Sequence, residues 1–348
     1  MLMLVPALRP GFGLLLVSLL GMLLTACQPK PPTATRLQGQ TMGTYYGLTL
    51  PGGYPGGDPA LKQDIETLLG RMNKEISTYD PDALISRFNR GPVEPATEIP
   101  AEMARIVQQG IDAGQLTQGK LDVTIGPLVN LWGFGPDKRP VKTPSEAQIA
   151  AARQRVGIDK LSLTRQGEKY LLRKSIPDLY LDLSTLGEGA AADAIARLFD
   201  DKGIEDYLIE VAGAVRSKGV NGKGQPWRIA IVEPSDKPGA FSDIVMPQGM
   251  AVSTAGSYRN YYEQDGVRYS HIIDPATGRP VTHRLVSASV ITQDALEADA
   301  LDTALVVMGP EQAMAFAKAH QLAVYLIIKM DEGFKADYSP QFAPYLVK

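Results

Sequence analysis

The chain carries a single cysteine, Cys27, directly behind an apolar run from Gly11 to Leu24. No intrachain disulfide is available, so the fold must be held by buried apolar surface and hydrogen bonds. Residues 1–26 hold one charge, Arg9, and the small residues Thr25 and Ala26 stand just before the cysteine. The run is short against the ~20 apolar residues that span a bilayer. It reads as a signal peptide ending in a lipobox, with an uncleaved anchor helix as the competing reading. Cys27 is then the lipidated first residue of the mature chain, which accounts for its lone status, and the Pro-rich polar stretch from Pro29 to Thr35 is a linker. The expected organisation is a signal peptide at 1–26, an acylated cysteine and linker at 27–36, and one body at 37–348 tethered to a membrane.

The body is long enough for a sizeable core, and 44% of the 348 residues are hydrophobic. Lys plus Arg number 35 against 38 Asp plus Glu, a net charge of -3. No broad basic surface is implied, which argues against nucleic acid as a partner.

Residues Leu37 to Leu50, rich in Thr and Tyr, read as a strand, followed by a Gly and Pro loop from Pro51 to Pro59. Leu61, Ile65, Leu68, Leu69, Met72 and Ile76 recur at helical spacing, as do Met103, Ile106, Ile111 and Leu116. Pro136 to Pro144 reads as a surface excursion. Strands are expected at Tyr180 to Leu183, Tyr207 to Val211, Trp227 to Val232, Met250 to Thr254, Val286 to Ile291 and Leu322 to Ile328. Asp265 and Gly266 mark a tight turn between Tyr258 to Glu263 and Val267 to Ile273. Helices fit Gly189 to Phe199, Glu297 to Met308 and Glu311 to His320. Hairpins mixed with helices give the α+β class rather than a regular βαβ series.

Four segments could carry chemistry, and each has a plain structural reading beside the functional one. In Gln40 to Tyr46, Gly43 would let backbone approach a ligand, or the segment is an ordinary strand start. In Asp182 to Ala192 a hydroxyl and glycine turn enters an alanine-rich helix, either an anion-binding N-terminus or a helix capped by Ser184 or Thr185. In Glu297 to Thr303, Asp299 and Thr303 are four apart and share a helix face, offering two oxygens to a hard cation, or the acids merely favour a helix start. The fourth is the hairpin exit from Ser270 to Pro280. There His271 could exchange protons near neutral pH or be structural.

Together these segments resemble the ApbE family of FAD:protein FMN transferases over most of the chain, from about Gly39 to Leu346. The motifs are TMGT at Thr41 to Thr44, STYDPDALISRFN at Ser77 to Asn89, GKLDVTIGPLVNLWGFGP at Gly119 to Pro136, DLSTLGEG at Asp182 to Gly189, TAGSYRN at Thr254 to Asn260, SHIIDPATG at Ser270 to Gly278 and EADALDTA at Glu297 to Ala304. The resemblance implies a single T-fold-related body of mixed antiparallel sheets and helices. It implies Mg²⁺-dependent transfer of FMN from FAD to a Thr or Ser hydroxyl of an acceptor protein, leaving a phosphoester-linked flavin and releasing AMP. It also implies a periplasmic, lipid-anchored enzyme. Its acceptors would be subunits of membrane respiratory complexes such as sodium-pumping quinone reductases, and other flavinylated proteins.

By the same resemblance, Asp299 and Thr303 would give side-chain oxygens to Mg²⁺ and Thr185 its carbonyl, with Asp302 as neighbour or alternative ligand. Met42 and Tyr79 would pack on the flavin or adenine. Lys120, Leu121 and Asp122 would line the dinucleotide groove, and Asp182, Glu188 and Ile273 would contact FAD. His271 would assist deprotonation of the acceptor, with Asp274 as its orienter. Two other readings fit the same residues: a Mg²⁺-dependent FAD pyrophosphatase giving FMN and AMP, and a lipoprotein that holds FAD without chemistry.

Overall fold

Alternating apolar residues build one antiparallel sheet of eight strands in the computed structural model, which describes residues 34–136, 142–235, 237, 239–258, 260–264 and 266–347. The strands are β1 (Thr35–Thr41), β2 (Thr44–Leu50), β3 (Tyr207–Val211), β4 (Ala214–Lys218), β5 (Ala251–Gly256), β6 (Leu285–Thr292), β7 (Ala323–Lys329) and β8 (Phe334–Tyr338). Their order across the sheet is their order along the chain. The expected signal peptide, Cys27 and the expected linker as far as Thr33 lie outside the described residues, and β1 begins at Thr35, inside the stretch expected to be linker. Among the described residues no helix is long and apolar enough to cross a membrane.

Four helices pack on the sheet, α1 (Gly57–Ile76), α3 (Ser184–Asp201), α4 (Ala295–Met308) and α5 (Pro310–Ala319), and α2 (Ala101–Leu116) packs on α1, α3 and α4. The main core joins the apolar stripe of α1, the buried face of α2 and nearly all of α3 to Tyr46, Leu48, Ile209 and Val211 of the sheet. Further along, β6 and β7 divide their side chains between two faces, as the period of two requires. Val290, Val324 and Leu326 pack under α4 and α5, while Ile291, Tyr325 and Ile327 meet Ile231, Val245 and Phe342 on the opposite side.

Several expected elements differ. Leu37 to Leu50 is a hairpin of two strands, because Met42 and Gly43 both take positive φ (49° and 76°) and turn the chain within two residues. Tyr180 to Leu183 is not a strand: Leu181 has both backbone groups satisfied by the side-chain amide of Asn89, and Asp182 N–H donates to the carbonyl of Val123. Helix α3 starts at Ser184 rather than Gly189, and neither Ser184 nor Thr185 is its N-cap, a position held by Leu183. The Asp182 carboxylate instead accepts from the N–H and hydroxyl of Ser184. The Gly and Pro loop also ends earlier, at Gly56, with Pro59 inside the first turn of α1, where its missing N–H costs nothing. The hairpin after β5 is confined to Tyr261–Gln264 and Val267–Ser270, and Asp265 of its turn lies outside the described residues, as do 137–141 of the surface excursion.

Helices α3 and α4 cross at Gly189. A Cβ there would run into the carbonyl of Ala295 and lie 2.8 Å from the Cβ of Asp299. Substituting Gly189→Ala should therefore force the two helices apart and cost about 2–3 kcal/mol of unfolding free energy, measured by urea denaturation.

Candidate functional site

The tips of two neighbouring hairpins, Met42–Gly43 and Ala212–Gly213, share one end of the sheet with the last residues of β5. At that end opens a cavity of about 1130 Å³, above the usual range for small-molecule pockets. Its wall contains Met42, Tyr79, Lys120, Leu121, Asp122, Thr185, Glu188, His271, Ile273, Asp299 and Thr303, residues drawn from both halves of the chain. Asp182 and Asp302, expected beside them, do not line it.

Local backbone chemistry sets the floor. After α2 the chain turns through Gln118 and Gly119, both left-handed, and delivers Lys120 to Asp122. Asp122 closes a corner by accepting from the N–H and hydroxyl of Thr124 at 2.8 and 2.6 Å. Asp182 makes the same corner with Ser184 at 3.0 and 2.7 Å. The 2.7 Å bond from Asp182 N–H to the Val123 carbonyl lays the two corners side by side, so Asp182 sets the entry of α3 from behind the wall. Burial raises the pKa of Asp122 despite its hydrogen bonds.

Helix α4 is apolar on nearly every side, as a central helix must be, yet it carries Asp299 and Asp302 at 6% and 1% exposure. Asp299 accepts from Gly189 N–H at 2.7 Å. That N–H would in a regular helix go to the carbonyl of Thr185, four residues earlier. Ser253 on β5 offers a longer contact to Asp299 at 3.5 Å. Neither oxygen of Asp302 has a hydrogen bond of normal length and angle, though Ser253 and the N–H and hydroxyl of Thr303 lie near it. Burial first, then mutual repulsion and the nearby Glu188, holds the Asp299 carboxyl well above the ordinary carboxylate range, and burial does the same to Asp302. Glu188 in turn accepts from Gly213 N–H at 3.0 Å, tying α3 to the β3–β4 tip.

His271 lies immediately after the short strand Val267–Ser270, half-buried, with Nδ1 2.9 Å from the carbonyl oxygen of Asn260. A carbonyl can only accept, so the neutral ring carries its proton on Nδ1 and leaves Nε2 as a bare lone pair. Burial pushes the imidazole pKa down, partly opposed by that hydrogen bond. The expected orienter, Asp274, does something else: its carboxylate lies 3.7 Å from Lys120 Nζ and accepts from Ala276 N–H. The orienter of His271 is thus a backbone carbonyl. A run of rings from Trp132 through Tyr269, Tyr262 and Phe134 ends against the imidazole and fixes the hairpin.

At the mouth Tyr79 is 64% exposed and its hydroxyl donates to the Phe134 carbonyl, bridging two loops. Asn73 and Ser77 of the α1 end and Val307 of α4 also line the cavity, and sequence reasoning gave them no role. Asn260 sits inside a quoted motif, but a backbone carbonyl's partner leaves no mark in residue identities. Among the described residues no three His, Cys, Asp or Glu cluster as a ready metal site. Any cation here must therefore draw on hydroxyl, carbonyl and ligand oxygens besides Asp299 and Asp302.

The sequence and the fold are similar to those of known proteins. The ApbE family model matches residues 42–326. An FAD:protein FMN transferase of Klebsiella pneumoniae is 47% identical over 325 residues, covering 93% of each chain. One of Escherichia coli K12 is 47% identical over 328 residues, covering 92% of this chain and 93% of its own. The solved flavin transferase ApbE of Vibrio cholerae superposes with a TM-score of 0.82 at 43% identity, over 91% of this chain and 100% of that one. The apo flavinyl transferase ApbE of Pseudomonas stutzeri gives 0.81 at 34%, over 92% and 98%. With a family model spanning most of its length and relatives this similar from end to end, the chain belongs to the ApbE family.

Proposed function

We propose that this protein transfers the FMN part of FAD to an acceptor protein, by attack of a Ser or Thr hydroxyl on the FMN-side phosphorus. The observation that carries the reading is the gathering of Met42, Lys120, His271, Asp299 and Thr303 in one cavity large enough for a dinucleotide. The acceptor oxygen forms the new P–O bond, the bond to the AMP phosphate breaks, and AMP leaves. The hydroxyl proton goes to the bare Nε2 of His271, whose depressed pKa keeps it neutral and ready near pH 7. Lys120, held by Asp274, supplies positive charge to the wall beside the pyrophosphate. Met42 and Tyr79 offer a thioether and a ring to flat heterocycles, and Leu121 and Ile273 add apolar wall.

The residues fit a divalent cation. Two buried carboxylates on one helix, one of them without a hydrogen bond of normal geometry, are costly unless a positive charge or protons compensate them. Asp299, Thr303 and the Thr185 carbonyl would hold Mg²⁺, with Asp302 close enough in sequence to share its charge. When bound, the ion supplies charge neutralisation at the phosphates. In the same reading Cys27 carries the lipid, the body stands tethered in the periplasm, and the acceptors are exported subunits of membrane respiratory complexes and other flavinylated proteins.

Incubating the body with FAD, Mg²⁺ and an acceptor domain should give flavin fluorescence that survives denaturing electrophoresis. Asp299→Ala should reduce it roughly 100-fold or more, beyond the 10–100-fold typical of changes behind a metal ligand. Release of FMN and AMP with no labelled protein would instead support hydrolysis.

His271→Ala should slow transfer about 10²–10⁴-fold. The wild-type rate should fall on the acid side below pH ~6.5, the ordinary histidine value, because burial lowers this pKa, and the variant should lack that limb.

A third expectation concerns metal-free protein. The folded state holds the protons of Asp299 and Asp302 more tightly than the unfolded chain, so these groups cost stability as pH rises from the ordinary carboxylate range. Asp302→Asn should accordingly be more stable than wild type in chelator at pH 8, with the gap shrinking toward pH 4, read by thermal melts.

A further inference from the structure

Helices α3 and α4 are joined by two carboxylates that point in opposite directions. Asp299 of α4 accepts the N–H of Gly189 on α3 at 2.7 Å. One turn further along α3, Asp193 accepts the N–H groups of Ala295 and Leu296 at 2.9 and 3.0 Å, one with each oxygen. Those are the first two residues of α4, whose own N-cap residue, Asp294, gives no side-chain cap. The start of α4 is thus capped from another helix, by a carboxylate suited to the positive end of the helix dipole.

Asp193 is buried at 3% exposure and does not line the cavity. Two cations face it: Arg216 Nε of β4 at 3.6 Å and Arg105 Nη1 of α2 at 3.7 Å. Arg216 also donates to the carbonyl of Gln293 and lies 3.7 Å from Asp294, so it grips the segment that leads into α4. Asp193 and Arg216 thus bind the N-terminal end of α4 from α3 and β4, beside the close packing of Gly189 on Ala295. Asp299 and Thr303 follow within the next two turns.

We infer that Asp193 is a positioning residue for the cation site: by capping α4 from α3 it fixes the height of Asp299 and Thr303 against Thr185. This rests on the reading that Asp299 belongs to a divalent-cation site. A ligand set so short of charged groups depends on placement, and small displacements of such oxygens weaken binding. The residue acts on the metal through the backbone of α4 rather than by touching it.

The test is an Mn²⁺ titration of the folded protein, followed by loss of the free-ion electron paramagnetic resonance signal. Asp193→Asn keeps the size but removes the charge and one acceptor, and should weaken Mn²⁺ about 10-fold. Leu172→Ala, a buried change in the separate three-stranded sheet, serves as a destabilised control and should bind as wild type does. Arg216→Gln leaves both cap hydrogen bonds in place and should weaken Mn²⁺ about threefold, which keeps the inference testable if Asp193→Asn does not fold. Binding within twofold of wild type in the folded Asp193 variant, or in the Arg216 variant where the first fails to fold, would overturn it. So would equal weakening in Leu172→Ala. Absence of binding by wild type, or equal binding by Asp299→Ala, would overturn the metal reading itself and this inference with it.

Discussion

Two buried carboxylic acids on a largely apolar helix set the terms for the rest of the molecule. Asp299 and Asp302 can be tolerated at 6% and 1% exposure only by protonation, by hydrogen bonds or by a cation. The structure supplies little of the second: one amide from Gly189 and one distant hydroxyl from Ser253 for Asp299, and for Asp302 only the poorly aligned donors of Ser253 and Thr303. The remainder of the cost is left to protons or to a metal. A fold selected for stability alone would place alanines there, as it does at Ala298, Ala300 and Ala304 of the same helix.

That choice explains why the surroundings are so closely specified. Gly189 lets α3 approach α4 until an amide reaches Asp299, and Asp193 fixes the other end of the contact. Glu188 fastens α3 to the hairpin tip at Gly213, and Met42 is held in a left-handed backbone that non-glycine residues seldom adopt. The wall that must hold a ligand is therefore made from helix ends, hairpin tips and one face of α4. The remaining faces of these helices are packed as ordinary core.

Much of this was visible in residue order. The apolar stripe of α1, the helix carrying Asp299 and Thr303, and the late strands follow from periodicity, and the ordered motifs pointed to the ApbE family. What stayed hidden has physical causes. Met42 is not a residue type that advertises a positive φ, so two strands read as one. Tyr180 to Leu183 has strand composition, but its partner is the side chain of Asn89. Leu116 continues the stripe of α2 on paper, yet lies exposed at the end of the helix. Asp182 and Asp274 sit in conspicuous motifs, and each is spent locally, on Ser184 and on Lys120. The carbonyl of Asn260 decides which nitrogen of His271 is bare, and a carbonyl belongs to every residue alike.

The strands of the sheet follow chain order, but not at even intervals. Between β2, which ends at Leu50, and its neighbour β3, which starts at Tyr207, the chain makes a long detour through α1, α2 and α3. During synthesis the first hairpin is complete long before the strand that must pair with its exposed edge has been made. Residues 44–50 then present an unsatisfied edge for all that time, a site for wrong pairing with another nascent chain. Closing so distant a contact is also slow in comparison with forming a hairpin. The N-terminal hairpin, and with it Met42, should be the last part of the wall to reach its place.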